Sequence, residues 1–406
     1  MEVIVTDHHV EPLHLPTDAF AIINPQVKQC NYPWPMLAGV GVAFKVAQAL
    51  GRKLNLGEAY EKWLLDLVAI STITDCMPLR DENRTLVRYG LVVLNKTKRI
   101  GLQKLIASTH KLGAAVTTGS ISYRIGPWLN AAGRMDHANV AVKLLLAETE
   151  AEADKYVQIL SETNTERQKQ TENMFTETKV QAEMQTDQLL LCVLGSTWPI
   201  GLIGLVAGKL VTHYNKPAFV LTEHKGAIFG SGRSLPGVNL IKTLQKIDHL
   251  FERYGGHAMA CGFTLKAEYT SAQFTREFIA ATQANLEQLD PVKEVTIAAE
   301  LTLSQITWQL TEQLSWLEPF GEQHLEPIFS LPNVQIKDFQ TVGATQKHLR
   351  LVLTDDSHIS LKAIAFGLGE RAATLHLGDT VTVVGSVSVN QWNGNKELQF
   401  QVKDLI

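Results

Sequence analysis

Three consecutive side chains near the start of the chain could bind a metal ion or transfer a proton. Asp7, His8 and His9 follow the apolar run of residues 2–6, which predicts a short buried strand of a parallel sheet. Open α/β sheets place their sites at the carboxyl ends of such strands. If the strand continued, its alternation would put Asp7 and His9 on one face and His8 on the other. The alternative is a polar strand end whose side chains bond to nearby backbone.

A fourth candidate, Asp75, lies in a predicted helix. A spacing of four, four and three residues places one set of side chains on a single helical face: Leu64, Val68, Thr72 and Asp75. We expect this face to be turned toward the core, where a carboxylate is costly unless it is paired or binds a metal ion. Capping of the helix or pairing with an arginine is the alternative role.

Polar residues among glycines recur in four later segments. The candidate anion-binding residues are Asn130 and Arg134 in residues 126–134, Gly201 and Gly204 at a helix start, Ser231, Arg233 and Ser234 in residues 230–234, and Gly255, Gly256 and His257 in residues 254–263. Glycine lets backbone N–H groups approach an anion, a helix N-terminus favours negative charge, and arginine binds phosphate bidentately. Each segment alone is a weak signal, because glycines such as those of residues 230–234 more often serve turns and a lone histidine such as His257 more often has a structural role.

Apolar spacing predicts the elements that must carry these residues. We expect helices at residues 36–50 and from Asp81 onward, and a long, mostly solvated helix over residues 148–185 that joins two domains. A second α/β unit follows. Its strands are predicted at residues 189–195, 217–223 and 226–233, and its helices at residues 200–214, 238–256 and 270–288.

Alternating apolar and polar residues dominate the chain after Pro291. The alternating runs cover residues 348–354, 359–366, 379–389 and 397–405, with turn signals at residues 354–357 and 392–395. Several short strands in one segment predict a small β-barrel. This part holds 8 basic and 13 acidic residues, a balance of −5.

Length and composition exclude several classes of protein. The 406 residues, 45% hydrophobic and 19% charged, predict a globular chain of two or three domains. The net charge of −4 provides no bulk basic field for nucleic acid. The four cysteines include no C-x-x-C pair, the chain start lacks signal-peptide features, and the apolar runs are too short to span a membrane. We therefore expect reduced thiols and a cytoplasmic location.

Taken in order, these segments resemble the RecJ family of the DHH phosphoesterase superfamily. Six ordered motifs carry the resemblance, at residues 7–9, 73–84, 125–135, 200–210, 231–234 and 255–263, and residues 317–329 with the strand-rich tail resemble the family's OB-fold. The resemblance implies an α/β architecture in four parts. These are the C-terminal part of a DHH parallel-sheet domain at residues 1–147, a connecting helix at 148–186, an α/β DHHA1 domain at 187–289 and an OB-fold β-barrel at 290–406.

The resemblance also implies a chemistry. Members of this family are exonucleases that digest single-stranded DNA from the 5′ end in repair and recombination, using two Mn²⁺ or Mg²⁺ ions to activate a water for in-line attack. By this resemblance His8 and Asp75 are metal ligands, Asp7 and His9 are catalytic, and single-stranded DNA and repair proteins are the partners. The residues that would hold substrate phosphates are Asn130, Arg134, Ser231, Arg233, Ser234, Gly255, Gly256 and His257.

Three features depart from the family pattern. Only six residues precede Asp7, so two earlier carboxylate motifs have no place, and we expect a truncated chain with little or no nuclease activity alone. Trp128 stands where an Arg is common in the family, and the pair Trp198-Pro199 stands where many members have Trp-His, so at least two polar contacts are missing. Residues 320–324, FGEQH, replace a usual F-G-x-G-N, which we expect to alter a loop.

Two alternative functions stay open. One is a catalytically inactive nucleic-acid-binding module, and the other is a DHH phosphodiesterase for short oligonucleotides or cyclic dinucleotides. The acidic C-terminal part mildly supports the second, since a long single strand favours a basic groove. We also expect residues 1–147 to be the least stable part, because a truncated sheet leaves an open strand edge and exposed apolar surface.

Overall fold

The computed structural model describes residues 2–12, 15–111, 113–287, 294–343, 345–392 and 395–406. The chain forms two compact units. The first comprises Met1–Lys96, Ala115–Thr118 and Glu294–Ile406, and the second comprises Thr97–Ala114 and Gly119–Lys293. Within the described residues, no helix is both long enough and apolar enough to span a membrane.

The first unit begins with two short parallel strands. β1 (Ile4–Thr6) pairs in parallel with β2 (Ala21–Ile23), in the register Ile4↔Ala21 to Thr6↔Ile23. The predicted strand and its parallel pairing are therefore confirmed. Its predicted burial is wrong, because a two-stranded sheet has few neighbours to cover its side chains: Ile4 is 57% exposed and Phe20, just before β2, is 68% exposed.

Four helices follow in the first unit. They are α1 (Gly39–Lys53), α2 (Glu58–Lys62), α3 (Leu65–Thr74) and α4 (Asp81–Leu94). α1 begins later than predicted because Ala38 is still extended. The core that these helices share contains Leu37, Val42, Phe44, Val68 and Leu86.

The position of Asp75 differs from the prediction. α3 ends at Thr74, and Asp75 is the capping residue that follows it, with an exposed side chain. The prediction that Asp75 faces the core is therefore wrong, since the helix does not continue far enough to carry it there. Asp66 is the acidic residue of α3 that is buried.

The second unit begins with a run of helices. It comprises α5 (Ile100–Thr109), α6 (Thr118–Ser120), a π-helical turn (Ile121–Ile125), α7 (Gly126–Met135), α8 (Asn139–Leu145) and α9 (Glu150–Glu183). The long helix α9 was predicted, and it begins where the Thr149 side chain caps it by accepting a hydrogen bond from Glu152 N. α9 packs against α5, α7 and α8. It is therefore solvated on one side only.

The second unit also contains a five-stranded sheet with flanking helices. Its elements are β3 (Leu191–Gly195), α10 (Ile200–Tyr214), β4 (Ala218–His224), β5 (Ala227–Arg233), α11 (Leu240–Lys246), β6 (Phe251–Gly256), β7 (Ala260–Leu265) and α12 (Ser271–Glu287). The strand order is β3-β4-β5-β7-β6. β3 and β4 are parallel and joined through α10, whereas the other pairs are antiparallel. The predicted α/β character of this region is confirmed.

One predicted helix of this unit is wrong in its second half. The helix expected over residues 238–256 ends at Lys246, and β6 occupies the end of that range. Phe251 and Tyr254 have apolar spacing that suits a helix, but β6 pairs with β7 and Phe251 packs on Phe263 across the hairpin. Nonlocal pairing therefore overrides the local pattern.

The C-terminal part of the first unit is a β-barrel. Its elements are β8 (Ala299–Glu300), α13 (Trp308–Ser315), β9 (Phe329–Val342), β10 (His348–Thr354), β11 (Ser360–Ala365), β12 (Thr380–Trp392) and β13 (Asn395–Leu405). The pairing β9-β10-β11-β13-β12-β9 closes five strands on themselves. This confirms the predicted small barrel and agrees with an OB-fold.

The barrel core is formed by inward-facing side chains of these strands, among them Leu331, Leu351 and Phe400. The predicted turn at residues 354–357 is confirmed, and Asp355 Oδ1 accepts hydrogen bonds from Ser357 N and Oγ there. The predicted turn at residues 392–395 includes residues 393 and 394, which lie outside the described residues.

Candidate active site

His8 and Asp75 meet in the first unit. β1 ends at Thr6, so strand alternation no longer governs the next residues, and His8 Nε2 lies 3.4 Å from Asp75 Oδ2. The His8 side chain is 16% exposed and that of Asp75 44%. Gly39, at the start of α1, faces the His8 ring, and a β-carbon there would be 3.4 Å from His8 Cδ2. The end of a strand and the end of a helix thus bring together an imidazole and a carboxylate.

Asp7 and His9 form a second pair beside the first. Asp7 Oδ1 accepts hydrogen bonds from His8 N at 2.7 Å and from His9 N at 3.3 Å, and it lies 2.8 Å from His9 Nδ1. Burial favours the protonated carboxyl, but the hydrogen bonds from His9 and from the two backbone N–H groups outweigh it and lower the pKa of Asp7. An ionised Asp7 can only accept, so His9 Nδ1 donates and His9 Nε2 is left as the basic nitrogen.

Two residues that the sequence analysis missed hold the backbone of this tripeptide. Asn24 Nδ2 donates to His9 O at 2.8 Å, and Gln26 Nε2 donates to His8 O. Asn24 is buried, and its Oδ1 also accepts from Gln26 N. The signal that could have found Asn24 is its place directly after β2, beside the end of β1.

The donor set of His8 and Asp75 fits a divalent metal ion in part. Imidazole nitrogen and carboxylate oxygen both bind Mn²⁺, and a carboxylate also binds Mg²⁺. Among the described residues, no three His, Cys, Asp or Glu side chains converge on one metal-binding point. A divalent ion at this place would have His8 and Asp75 as two of its ligands, and water, substrate or other protein groups would complete its coordination sphere.

A loop of the barrel region supports the turn that carries Asp75. We call residues 317–324 the docking loop. Glu322 O accepts a hydrogen bond from Leu79 N at 2.8 Å, and Gln323 O accepts one from Arg80 Nε at 3.2 Å. Arg84 Nη2 donates to Leu317 O at 2.8 Å. The turn between α3 and α4 is thus tied to the chain segment before β9.

Ser231 and Arg233 lie on β5 in the second unit. Ser231 Oγ donates to Cys261 O at 3.1 Å and accepts from Arg233 Nη1 at 3.1 Å, and Arg233 Nη1 also donates to Gly232 O at 2.8 Å. Gly204 of α10 faces them, and a β-carbon there would be 2.9 Å from Arg233 Nη2 and 3.0 Å from Ser231 Oγ. A glycine at position 204 leaves room for the guanidinium.

Arg134 reaches the same helix from α7. Its Nη1 is 3.4 Å from Gly201 O, and a β-carbon at Gly201 would overlap the carbonyl of Arg134. Gly201 and Gly204 are one turn apart on α10. The structure therefore brings Arg134, Ser231 and Arg233 to the first turns of one helix.

A third arginine, Arg167 of α9, was not singled out from the sequence. Burial and the charge of Arg134 lower its pKa, and burial also lowers the pKa of Arg134 and Arg233. Arg167 Nε and Nη2 donate to Asn164 Oδ1 at 3.2 and 3.0 Å. A single arginine in a polar helix gives little signal. Its spacing of three residues from a buried asparagine was the available clue.

The other predicted substrate-binding residues do not all lie beside the first turns of α10. Asn130 is exposed on α7, and Ser234 is buried with its Oγ donating to Leu235 O at 3.3 Å. Gly256 has φ 139°, and an exposed His257 follows it in the β6–β7 hairpin. Gly255 and Ser231 line one cavity of about 380 Å³ in the second unit. The structure thus groups Ser231 with Gly255 and with Arg233, and it leaves Asn130 and the hydroxyl of Ser234 apart.

Trp198, the first residue of the Trp198-Pro199 pair that stands where many members have Trp-His, has a core role here. It is buried, its Nε1 donates to Glu177 Oε2 at 2.7 Å, and its ring fills the space next to Gly195. A buried indole cannot serve as a phosphate ligand, because its one donor is already bound.

The chain matches three known domains. They are the DHH family N-terminal domain over residues 1–72, the DHHA1 domain over residues 186–288 and the RecJ OB domain over residues 297–404. Together with the mixed sheet and the closed barrel, they define a protein of the DHH class that carries DHHA1 and OB domains.

Individual relatives show which family within this class the chain belongs to. The chain is 37% identical over 409 residues to the single-stranded-DNA-specific exonuclease RecJ of Bacillus subtilis, with 100% of this chain and 51% of the relative covered. It is 30% identical to the protein of the same name from Haemophilus influenzae, with 99% of this chain and 73% of the relative covered. The chain belongs to the RecJ family, as its motifs predicted. It spans about half the length of the Bacillus relative.

Solved structures agree. RecJ of Thermus thermophilus in complex with Mn²⁺ superposes with a TM-score of 0.83 at 30% identity, covering 100% of this chain and 58% of that one. An exonuclease RecJ bound to manganese gives a TM-score of 0.55 at 31% identity, covering 73% of this chain and 72% of that one. The predicted α/β architecture with a C-terminal OB-fold is confirmed.

Proposed function

We propose that the protein takes part in metal-dependent hydrolysis of phosphodiester bonds in single-stranded DNA, as an exonuclease acting from the 5′ end in DNA repair and recombination. The observation that carries the proposal is the pairing of His8 Nε2 with Asp75 Oδ2 at 3.4 Å beside a strand end. Its support is the family, whose curated members are named single-stranded-DNA-specific exonucleases, and the related RecJ structures solved in complex with Mg²⁺ or Mn²⁺.

In this proposal His8 and Asp75 hold a divalent ion, Mn²⁺ or Mg²⁺, as part of a two-metal site. The ions would activate a water and stabilise the leaving oxygen. Asp7 holds His9 through Nδ1, so His9 Nε2 can accept a proton. Asp7 and His9 are therefore the proposed catalytic residues, Asp7 by fixing the tautomer and orientation of the ring.

The proposed substrate-binding residues lie in the second unit. They are Asn130, Arg134, Ser231, Arg233, Ser234, Gly255, Gly256 and His257. Arg134 and Arg233 carry most of this role, because a guanidinium matches the oxygens of a phosphate and both lie at the first turns of α10. Single-stranded DNA is the proposed partner, together with repair proteins.

The proposal extends to domain organisation and location. We propose a DHH domain part at residues 1–147, a connecting helix at 148–186, a DHHA1 domain at 187–289 and an OB domain at 290–406. A cytoplasmic location is supported by the four cysteines, all within the described residues, which are free thiols.

One observation favours a second function. Among the described residues no three metal-ligating side chains converge, so His8 and Asp75 would be the two protein ligands of the site, and a site with two protein ligands binds metal weakly. A nucleic-acid-binding module without catalysis would keep the arginines and the barrel and would not need a full metal site.

The test is Mn²⁺-dependent degradation of a 5′-labelled single strand by the whole chain at high protein concentration, beside a duplex of the same sequence. We expect slow release of short products from the single strand only, and none from the His8→Ala or Asp75→Ala variants. His137→Ala, at an exposed histidine, is the control. Cleavage that survives His8→Ala contradicts the site. Binding of the single strand without any cleavage favours the binding module and contradicts the proposed hydrolysis.

A further inference from the structure

Asp75, one of the two proposed metal ligands, lies at the start of a strained turn between α3 and α4. Cys76 N donates to Ile73 O at 3.2 Å. Met77 N donates to Thr72 O at 3.0 Å, which completes the bonding pattern of a Schellman C-cap. Such a cap favours glycine at the position of Cys76, because this residue has φ 52° and a β-carbon makes that conformation costly. A turn of this kind keeps its shape only where surrounding contacts fix it.

The docking loop supplies such contacts on one side of the turn. Leu79 N donates to Glu322 O at 2.8 Å. Arg80 Nε donates to Gln323 O at 3.2 Å. The Leu79 side chain is buried and lies against Gly321, where a β-carbon would be 2.7 Å from Leu79 Cδ1. That distance is too short for two carbon atoms, so the glycine at position 321 leaves the space that Leu79 occupies.

The docking loop is held in shape by its own contacts. Gly321 N donates to His324 O at 2.9 Å, and His324 N donates to Gly321 O at 3.1 Å. His324 Nε2 donates to Leu317 O at 2.8 Å. The Phe320 and His324 rings stack with their centroids 5.6 Å apart. Gly321 therefore cannot move away from Leu79 without the loss of some of these contacts.

A buried asparagine fixes the other side of the turn. Asn83 is 0% exposed, and its Nδ2 donates to Pro78 O at 3.1 Å and to Met36 O at 2.6 Å. Met36 lies three residues before Gly39, which faces the His8 ring. This side chain thus joins the backbone of the turn to the segment beside His8.

We propose that the docking loop positions Asp75 for metal binding, with Gly321 and Arg80 as positioning residues that act through the turn. This inference rests on the proposed function, because it takes Asp75 to be a metal ligand. The loop holds the turn from one side and Asn83 holds it from the other, so the separation of His8 and Asp75 depends on both. Groups that orient a metal ligand tune the affinity for the ion. A segment next to the β-barrel thus acts on the metal site.

The test is Mn²⁺ binding by the whole chain, measured as the loss of the free-Mn²⁺ signal in electron paramagnetic resonance at high protein concentration. We expect Gly321→Ala to weaken binding about tenfold, the lower end of the effect of groups that orient a metal ligand. Arg80→Ala should weaken binding by a smaller factor, because it removes one exposed hydrogen bond. Asp75→Ala removes the ligand itself and sets the level of binding without it.

A second substitution distinguishes positioning from general damage. Leu79→Val shortens the side chain that a methyl group at position 321 would push. The double variant Gly321→Ala/Leu79→Val should therefore bind Mn²⁺ more tightly than Gly321→Ala alone. The matched controls are Gly57→Ala, at an exposed glycine with open space around its β-carbon position, and Arg88→Ala, at an exposed position of α4. We expect both to bind Mn²⁺ like the parent chain.

Hydrogen exchange followed by mass spectrometry reports on the turn in the absence of metal. The backbone N–H groups of residues 75–77 and of Leu79 are hydrogen-bonded, so they exchange slowly where the turn is fixed. We expect faster exchange over residues 75–80 in Gly321→Ala and Arg80→Ala, with β10 unchanged. Thermal melting checks that each variant is folded. A purely structural role would lower the melting temperature and leave the Mn²⁺ affinity unchanged.

The outcomes separate this inference from the proposed function. A parent chain that binds Mn²⁺ no better than Asp75→Ala overturns the proposed metal site and this inference with it. If Asp75→Ala loses binding while Gly321→Ala and Arg80→Ala bind like the parent, this inference alone is overturned. It is also overturned if Gly321→Ala binds weakly without faster exchange over residues 75–80, or if Leu79→Val restores none of the lost affinity.

Discussion

The ionisation of Asp7 decides how the tripeptide at residues 7–9 can act. An ionised Asp7 fixes the His9 ring through Nδ1 and also binds two backbone N–H groups. A protonated Asp7 would lose part of each contact. Its lowered pKa keeps it ionised at neutral pH. These contacts should therefore make the free energy of unfolding depend on pH.

We predict that Asp7 stabilises the fold above its unfolded pKa near 3.8 and that this contribution disappears as the pH falls through its lower folded pKa. The Asp7 side chain is 38% exposed, so solvent screens the effect to less than about 1 kcal/mol. Chemical denaturation at a series of pH values from neutral to acidic should show Asp7→Asn less stable than the parent at neutral pH and equal to it at low pH. Asp18→Asn, at an exposed acid of the same segment, should show no such trend. A difference that grows on acidification contradicts the assignment.

At the scale of elements, α10 depends on close approach to α7. A β-carbon at Gly201 would overlap the carbonyl oxygen of Arg134, a backbone atom that cannot rotate away. Gly208, two turns further along the same helix, has open space around its β-carbon position. The two glycines therefore differ in environment while they share the helix.

We expect Gly201→Ala to destabilise the protein by about 1–3 kcal/mol, because α10 and α7 must separate. Gly208→Ala should be neutral or stabilising by up to about 1 kcal/mol, because alanine favours a helix over glycine. Urea denaturation of both variants measures the difference. Equal effects of the two substitutions would mean that the contact with Arg134 is not limiting.

A second prediction at this scale concerns the hydrogen bonds between Arg84 of α4 and the docking loop. Arg84 Nη2 donates to Leu317 O at 2.8 Å and to Glu318 O at 3.4 Å. Arg84→Ala leaves both carbonyls without this donor, and we expect a loss of about 1–2 kcal/mol in the free energy of unfolding. Arg88→Ala, one turn further along α4 and exposed, should change it by less than about 0.5 kcal/mol. Thermal melting of the two variants measures this difference. An Arg84→Ala variant as stable as Arg88→Ala would show that the bonds from Arg84 to the docking loop do not stabilise the fold.

The local sequence pattern predicted some helices and strands correctly and others incorrectly, and each error has a physical reason. The glycine and apolar spacing of α10 predicted its bounds, Ile200–Tyr214, because helix formation there agrees with the local sequence. β6 was mistaken for a helix because its pairing with β7 is nonlocal. Asp75 was placed on a buried face because spacing alone does not show that α3 ends at Thr74. Neither spacing nor propensity could show that His8 and Asp75 meet, since a strand end and a helix end supply them.

At the scale of the whole molecule, the two compact units rest on separate cores. The first unit has the barrel core and the small helical core near Phe44, and the second has a phenylalanine-rich core around Phe219 and Phe274. The β1–β2 pair adds little burial to any of them. A two-stranded sheet is marginally stable on its own. The weakest part of the first unit should therefore lie before α1.

We predict that limited proteolysis first cuts the chain within residues 2–35. Val3, Ile4 and Phe20 are exposed there, and few contacts protect the backbone. The sequence led us to expect this weakness across residues 1–147. The structure limits it to the start of that range, because the docking loop holds the turn before α4 through Leu79 and Arg84. In the later part of the range, α5, α7 and α8 pack against α9. Mass spectrometry of early digestion products should show a resistant fragment that begins near α1. With Arg84→Ala, cuts between α3 and α4 should appear sooner. First cuts inside β9–β13, or equal resistance of residues 2–35 and the barrel, would contradict this order of stability.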